Sequence, residues 1–331
     1  MSVQRLAQQL AAVDAERLRP SLRLVRLIVG NAETEHCHTP DRTPYDAIGK
    51  VGSRTGSRRR TSLSRLSCPG VDVSRYLRRI GYDGPLDADH RTLAGLQRAH
   101  LLAVPFDALD CHLGNRVTVE PADAYRKVVE HGRGGYCFEL NGLFAWLLEQ
   151  LGFGVTLLAA QPAIGDDRYA LPDAHLTLRV DLEQPWLADV GFGRFAIAPL
   201  RLDTEDVQVV GDARYRVAPD GDGLLAEELD AGDDPNAYRF TLTPRSREFF
   251  AERCRAYSTD PKSPFVRSAT VQQVFADGWA GVRRDKLSGR RGGRRLDRPL
   301  ADEADWRAEL ERQFGLVVRG TQVRGRAAVS P

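Results

Sequence analysis

Methionine is almost absent from this chain, with Met1 alone in 331 residues. No apolar run approaches the roughly 18 residues that span a bilayer, which excludes a transmembrane helix. Neither sign of charge is in excess. With 47 basic against 45 acidic residues the net charge is +2, so no global field argues for nucleic acid or an anionic membrane. The five cysteines, at 37, 68, 111, 137 and 254, are too few and too scattered for a disulfide framework or a zinc site. His36-Cys37-His38 has metal-ligand residue types, but adjacent residues do not converge on one ion and no second ligand pair follows. The beginning of the chain has no charged-then-apolar leader pattern. What is present, 42% apolar and 28% charged residues, is ordinary for a soluble globular protein, and a reduced, cytoplasmic enzyme is expected.

Residues 1–69 read differently from the rest. The stretch 31–69 is rich in Thr, Ser, Arg, Gly and Pro, with Arg54, Arg58, Arg59 and Arg60 clustered. Such a composition buries too little apolar surface to offset its ordering entropy, so the segment reads as largely disordered. No aromatic residue interleaves with the arginines, which favours a solvated tail over a nucleic-acid site. The lone Met1 also suggests a natural start at a valine such as Val71 or Val73, which an intact mass of the natively produced protein decides.

Further on stands the stretch from Gly132 to Gly142, Gly-Arg-Gly-Gly-Tyr-Cys-Phe-Glu-Leu-Asn-Gly. Leu140, Leu143, Phe144, Leu147, Leu148 and Leu151 follow at helical spacing and predict an amphipathic helix, closed by Gly152. Cys137 falls at its start, where free N–H groups and the helix dipole favour thiolate over thiol. Taken alone, a cysteine beside an apolar run is more often an inert core residue.

Around it the pattern orders into segments. Helices are expected at 72–81, around Leu93, Leu96 and Leu101, and over 122–129. After Gly152 the period becomes alternating, with short strands at 155–160, 175–182, 186–190, 207–210, 215–217 and 238–242, an antiparallel barrel or sandwich. Ser246 caps a helix to about Tyr257; 271–282 form a hairpin turning at Asp277-Gly278; a last helix carries Trp306, Leu310 and Phe314. In the strand at 175–182, His175 shares a face with Thr177 and Arg179. With a turn at 183–185, Asp189 in the next strand falls opposite Arg179, and an Asp189–Arg179 pair and a satisfied strand histidine stay open as readings. The run Arg290, Arg291, Arg294 and Arg295 reads as a solvated loop.

The word Arg133-Gly-Gly-Tyr-Cys-Phe-Glu-Leu-Asn141 closely resembles the active-site signature of the arylamine N-acetyltransferases. The segments around Tyr76–Tyr82, His100–Asp107, Asp173–Asp181 and Trp186–Gly193 resemble that family as well, from about residue 71 to 317 and more weakly after 200. One departure is Ala108, where the family usually carries an amide after the acid.

The resemblance implies an α+β fold with three domains and a Cys-His-Asp triad: a helical bundle (70–152), an antiparallel β-barrel with an interdomain helix (153–257), and an α/β lid (258–331). It implies Cys137, His175 and Asp189 as catalytic residues. Phe106, Tyr136 and Phe192 would wall the acceptor pocket, with core packing an equally good reading. Gly193, Thr259 and Ser263 would lie near acetyl-CoA, for which no phosphate-loop word exists. Arg133 and Asp107 would pair as structural support. The expected reaction moves an acetyl group from acetyl-CoA to an arylamine or arylhydrazine through a Cys137 thioester, with no metal and no nucleic-acid or membrane partner. The alternative is an amide synthase of the same fold, closing a macrolactam on a polyketide chain. A cysteine hydrolase and a non-enzymatic binding module fit the signature less well.

Overall fold

A computed structural model describes residues 71–165, 168–231 and 236–325. The readings made for 1–69, including the disordered extension, His36-Cys37-His38 and the arginine cluster, lie outside the described residues.

Helix α1 (Val73–Ile80) starts where the Asp72 carboxylate accepts the Arg75 N–H at 2.8 Å and ends at left-handed Gly81. Helix α2 (His90–Ala103) is capped in the same way by Asp89. The short β1 (Phe106–Asp107) and α3 (Leu109–Leu113) follow, both without a sequence signal because each is too short to show a period. Then α4 (Pro121–Tyr125) runs into a π-helical turn at Arg126–Glu130.

Helix α5 (Cys137–Gln150) departs from the amphipathic expectation. Every residue from Cys137 to Leu148 is buried, so no face of those three turns meets water. A helix apolar all round belongs in the centre of a domain, and α5 packs against α4, α6 and strands β2 and β3. Each fully buried Leu or Phe on it contributes roughly 1.5–3 kcal/mol of apolar burial.

Eight antiparallel strands form the second layer in the order β5-β4-β3-β2-β9-β8-β7-β6. They are β2 (Gly154–Pro162), β3 (His175–Asp181), β4 (Pro185–Ala188), β5 (Leu200–Arg201), β6 (Gln208–Val210), β7 (Ala213–Asp220), β8 (Gly223–Glu228) and β9 (Ala237–Pro244). Strand β8 had no expected counterpart. The edge strands β5 and β6 are joined by a side chain. Gln208 accepts the Arg201 N–H at 2.7 Å and donates to the Arg201 carbonyl at 3.1 Å, standing in for a backbone pair and nearly closing the sheet into a barrel. Its lining gathers Leu158, Leu187, Phe195, Tyr215, Val217, Tyr238 and Phe240.

The chain continues through α6 (Arg247–Thr259), capped by Ser246, and the single turn α7 (Pro264–Arg267). A second antiparallel sheet, β1-β10-β11-β12-β13, is built from β10 (Thr270–Phe275), β11 (Gly278–Arg283), β12 (Lys286–Arg291) and β13 (Arg294–Pro299). The first hairpin turns on Ala276-Asp277, one residue before the expected pair, because Gly278 already bonds opposite Phe275. The arginine run is a hairpin as well, with Arg290 opposite Arg295 and Arg291 opposite Arg294, rather than a loop. Helix α8 (Glu303–Phe314) buries Trp306 and Leu310 on this sheet, and a final hairpin joins β14 (Val317–Arg319) to β15 (Gln322–Arg324). Among the described residues no helix is long and apolar enough to cross a membrane.

Candidate active site

Cys137 is the first residue of α5 and is 3% exposed. The two glycines before it are required by close approach. A Cβ at Gly134 would lie 2.1 Å from the Pro105 carbonyl, and Gly135 pairs with the backbone beside Phe106. The loop is thus laid directly on β1. Its entry peptide is held from within the helix, since the Tyr136 N–H donates to the Glu139 carboxylate at 2.9 Å. The Cys137 thiol donates to the Ala174 carbonyl at 3.9 Å. Burial, with Cys254 and Asp189 nearby, pushes this thiol well up, against the pull of the helix terminus.

His175 opens β3 and is 2% exposed. Just before it Asp173 takes φ of 61°, a left-handed conformation that aspartate tolerates better than most residues. The β3–β4 register corrects the expectation for Asp189. Arg179 lies opposite Leu187, not Asp189, because the turn occupies 182–184, one residue earlier than expected, and Arg179 pairs with Asp181 instead. The ladder continued two residues brings Asp189 level with Thr177, one face-neighbour from His175. Accordingly His175 Nε2 meets Asp189 Oδ2 at 2.6 Å. Burial acts to raise the Asp189 carboxyl, but His175, Asn141 and the Gly191 N–H outweigh it and hold it below the ordinary carboxylate range.

Asn141 links these pieces, and no role was assigned to it from sequence. It lies one turn beyond Cys137 on α5 and is fully buried. Its amide nitrogen donates to Asp189 Oδ1 at 2.9 Å and to the Leu176 carbonyl at 2.5 Å, and its oxygen accepts the Val190 N–H at 2.9 Å. The Gly191 N–H supplies Asp189 Oδ1 with a second donor at 2.8 Å. Gly191 itself packs on the nucleophile helix, for its Cβ would stand 2.9 Å from the Cys137 carbonyl and 3.0 Å from the Cys137 Cα. The segment carrying Asp189 therefore rests on the peptide of Cys137. The readable signal for Asn141 was a lone amide in an apolar helical run, four residues past the cysteine.

Around the His175–Asp189 pair the barrel supplies aromatic rings. Phe192 meets His175 edge-on at 5.3 Å, and Tyr238 lies 5.5 Å from it. Phe106 and Tyr136 are buried and join Phe265 in a separate cluster, with ring separations of 5.8 Å and 5.0 Å to Phe265. Gly193, with φ of 87°, comes close to Gln272 and to Phe106. Ser263 caps α7 beside that cluster. Thr259 is exposed at the end of α6, and its hydroxyl donates to the Arg255 carbonyl of its own helix. Arg133 and Asp107 are both buried and joined at 3.1 and 2.8 Å. Arg133 also reaches Asp110, which the sequence reading did not single out. Cys111, Cys137 and Cys254 are free thiols, and among the described residues no group of three or more His, Cys, Asp or Glu stands ready to hold a metal.

The chain matches the N-acetyltransferase family profile over residues 89–323. The arylamine N-acetyltransferase of Mycolicibacterium smegmatis is 35% identical over 230 residues, covering 67% of this chain and 84% of that protein. Proansamycin X synthase of Amycolatopsis mediterranei is 31% identical over 250 residues, covering 73% and 96%. Among solved structures, the Mycobacterium marinum arylamine N-acetyltransferase in complex with CoA superposes with a TM-score of 0.68 at 32% identity, covering 74% of this chain and 92% of that one. An α+β chain with a nearly closed barrel, a cysteine opening a buried helix and this extent of similarity is an acyltransferase, and it belongs to the arylamine N-acetyltransferase family.

Proposed function

We propose that this protein acetylates an arylamine or arylhydrazine nitrogen, with acetyl-CoA as donor and a thioester on Cys137 as intermediate. The observation that carries the reading is the Asn141–Asp189–His175 set, seated against the first turn of the helix that Cys137 opens. With Nε2–H donated to Asp189, the other ring nitrogen, Nδ1, is left as the base. It takes the thiol proton, and the sulfur adds to the acetyl carbonyl. The N–H groups at the start of α5 face the oxyanion that develops, and CoA leaves with the proton held by His175. The amine then attacks the thioester, His175 takes the amine proton, and the Cys137 sulfur departs.

Phe192, edge-on to His175, supports an aromatic acceptor, and Phe106 and Tyr136, in their own cluster with Phe265, are kept as proposed pocket residues. Gly193, Thr259 and Ser263 are assigned to the donor side and Arg133 and Asp107 to support of the turn. On this reading 70–152 supplies the nucleophile, 153–257 the base and acid, and 258–331 the lid, in a cytoplasmic enzyme that needs no metal. Initial rates over a grid of acetyl-CoA and aniline-type acceptor concentrations test it. Parallel double-reciprocal lines are expected, and intersecting lines contradict a free acyl-enzyme.

The similarity to proansamycin X synthase, over 96% of that protein, favours a second reading as amide synthase on a polyketide chain. That reading is favoured if Cys137 takes no acetyl from acetyl-CoA yet is acylated by a carrier-bound thioester.

A further inference from the structure

The peptide entering α5 is tied to a buried chain of charges that runs behind the candidate site. Lys127 stands on the π-helical turn Arg126–Glu130, a wide turn of the kind that often marks functional positions. Its ammonium lies 2.8 Å from Asp110 Oδ2 and 2.7 Å from Glu139 Oε2, and its side chain is 11% exposed. The same Glu139 oxygen accepts the Tyr136 N–H at 2.9 Å, one residue before Cys137. Asp110 is shared with Arg133 at 2.9 Å, and Arg133 continues to Asp107 at 2.8 Å. The cluster therefore holds two cations, Lys127 and Arg133, against three carboxylates, Asp107, Asp110 and Glu139, for a formal charge of −1. Without Lys127 the cluster stands at −2, joined through the Tyr136 peptide to the residue whose sulfur must itself become an anion.

We infer that Lys127 is a positioning residue for Cys137. It holds Glu139 ionised against the Tyr136 N–H, which fixes the entry of α5, and it offsets negative charge where the thiolate forms. The inference rests on the reading of Cys137 as nucleophile. The other titratable groups around the thiol are His175 and Asp189 on the barrel side, Cys254 and Tyr257 on α6, Cys111 on α3 and the adjacent Tyr136. All of them are left in place by substitution at 127.

The ammonium is roughly 10 Å from the sulfur, two hydrogen-bonded links and about one residue of backbone away. At an effective dielectric near 20, a unit charge at that distance moves an ionisation midpoint by about one pH unit. The test is the pH dependence of iodoacetamide alkylation at Cys137 in the full chain, read on the Cys137 peptide by mass spectrometry. Lys127→Met is expected to move the midpoint upward and to slow alkylation at pH 7 about tenfold. Lys127→Arg, which keeps the charge, restores most of the rate. Glu139→Gln, which removes a negative charge and keeps an acceptor for Tyr136, moves the midpoint down by a similar factor. A folded Lys127→Met protein with the wild-type midpoint overturns the inference, because a merely structural lysine changes stability and leaves the thiol alone. If Lys127→Met does not fold, an unmoved midpoint in Glu139→Gln overturns it instead. Alkylation needs no acyl donor, so wild-type protein that fails to take up acetyl refutes the proposed function without deciding this coupling.

Discussion

Replacing Asn141 by alanine is expected to damage stability and catalysis together, in amounts that the geometry sets. The side chain is fully buried and makes three hydrogen bonds, to the Leu176 carbonyl, the Asp189 carboxylate and the Val190 N–H. Alanine leaves the buried Val190 N–H without an acceptor, at about 1–3 kcal/mol. The loss of a donor to a buried carboxylate adds about 1–2 kcal/mol more. A total near 3 kcal/mol corresponds to roughly 6 °C in thermal midpoint for a folded unit of this size. The Asp189 segment, released from α5, no longer aims His175 at a fixed point, and a displacement near 1 Å costs on the order of 100-fold in kcat. Urea unfolding and steady-state acetyl transfer on the same preparation are the assays. A variant that loses under about 1 kcal/mol and keeps kcat within about threefold refutes the bridging role.

Three further outcomes follow from the same coordinates. Burial, with Arg79 nearby, lowers His100 to about 3, so the unfolded chain binds a proton below about 6.5 that the folded chain refuses. Stability is therefore lost as pH falls from 6.5 toward 3, by up to about 5 kcal/mol. His100→Gln should flatten that limb of the stability–pH curve, and parallel curves contradict the assignment. Gly191→Ala places a methyl against the Cys137 backbone, so kcat should fall at least about tenfold with acceptor KM nearly unchanged; wild-type kcat shows that the contact is slack. Arg79 donates to the carbonyls of Ala103, Val128, Gly132 and Arg133, and Arg79→Met should cost roughly 3–5 kcal/mol in urea unfolding; a cost under about 1 kcal/mol refutes the account of it as a buried clamp.

Much of the fold was legible where caps and periods were strong. Ser246 stands at the N-cap that its side chain signals, and the helices expected at 72–81, around Leu93, Leu96 and Leu101, and around Trp306 and Leu310 are present as α1, α2 and α8. Elements too short for a period, β1 and α3, were not legible, nor was β8, whose run Gly-Leu-Leu-Ala-Glu-Glu does not alternate. The heptad-like leucines of α5 marked a helix but not its surroundings, since Ala145, Trp146 and Asn141 on the supposed outer face are buried too. At the site, the catalytic assignments came from resemblance, while the register argument put Asp189 opposite the wrong residue. A strand slips by two residues without changing face, so sequence pattern alone does not fix which member of a face meets which. The network of Lys127, Asp110 and Glu139 was hidden for another reason. Its members are scattered over three elements and are polar residues that usually face water.

The central claim is that Cys137 carries the acetyl group, and an intact mass tests it most directly. Purified protein is mixed with acetyl-CoA alone, beside a Cys137→Ala control. The account predicts a single acetyl adduct on the wild-type chain, absent from the variant and discharged when an arylamine is added. A folded wild-type protein that gains no adduct, or an adduct that persists in Cys137→Ala, contradicts it.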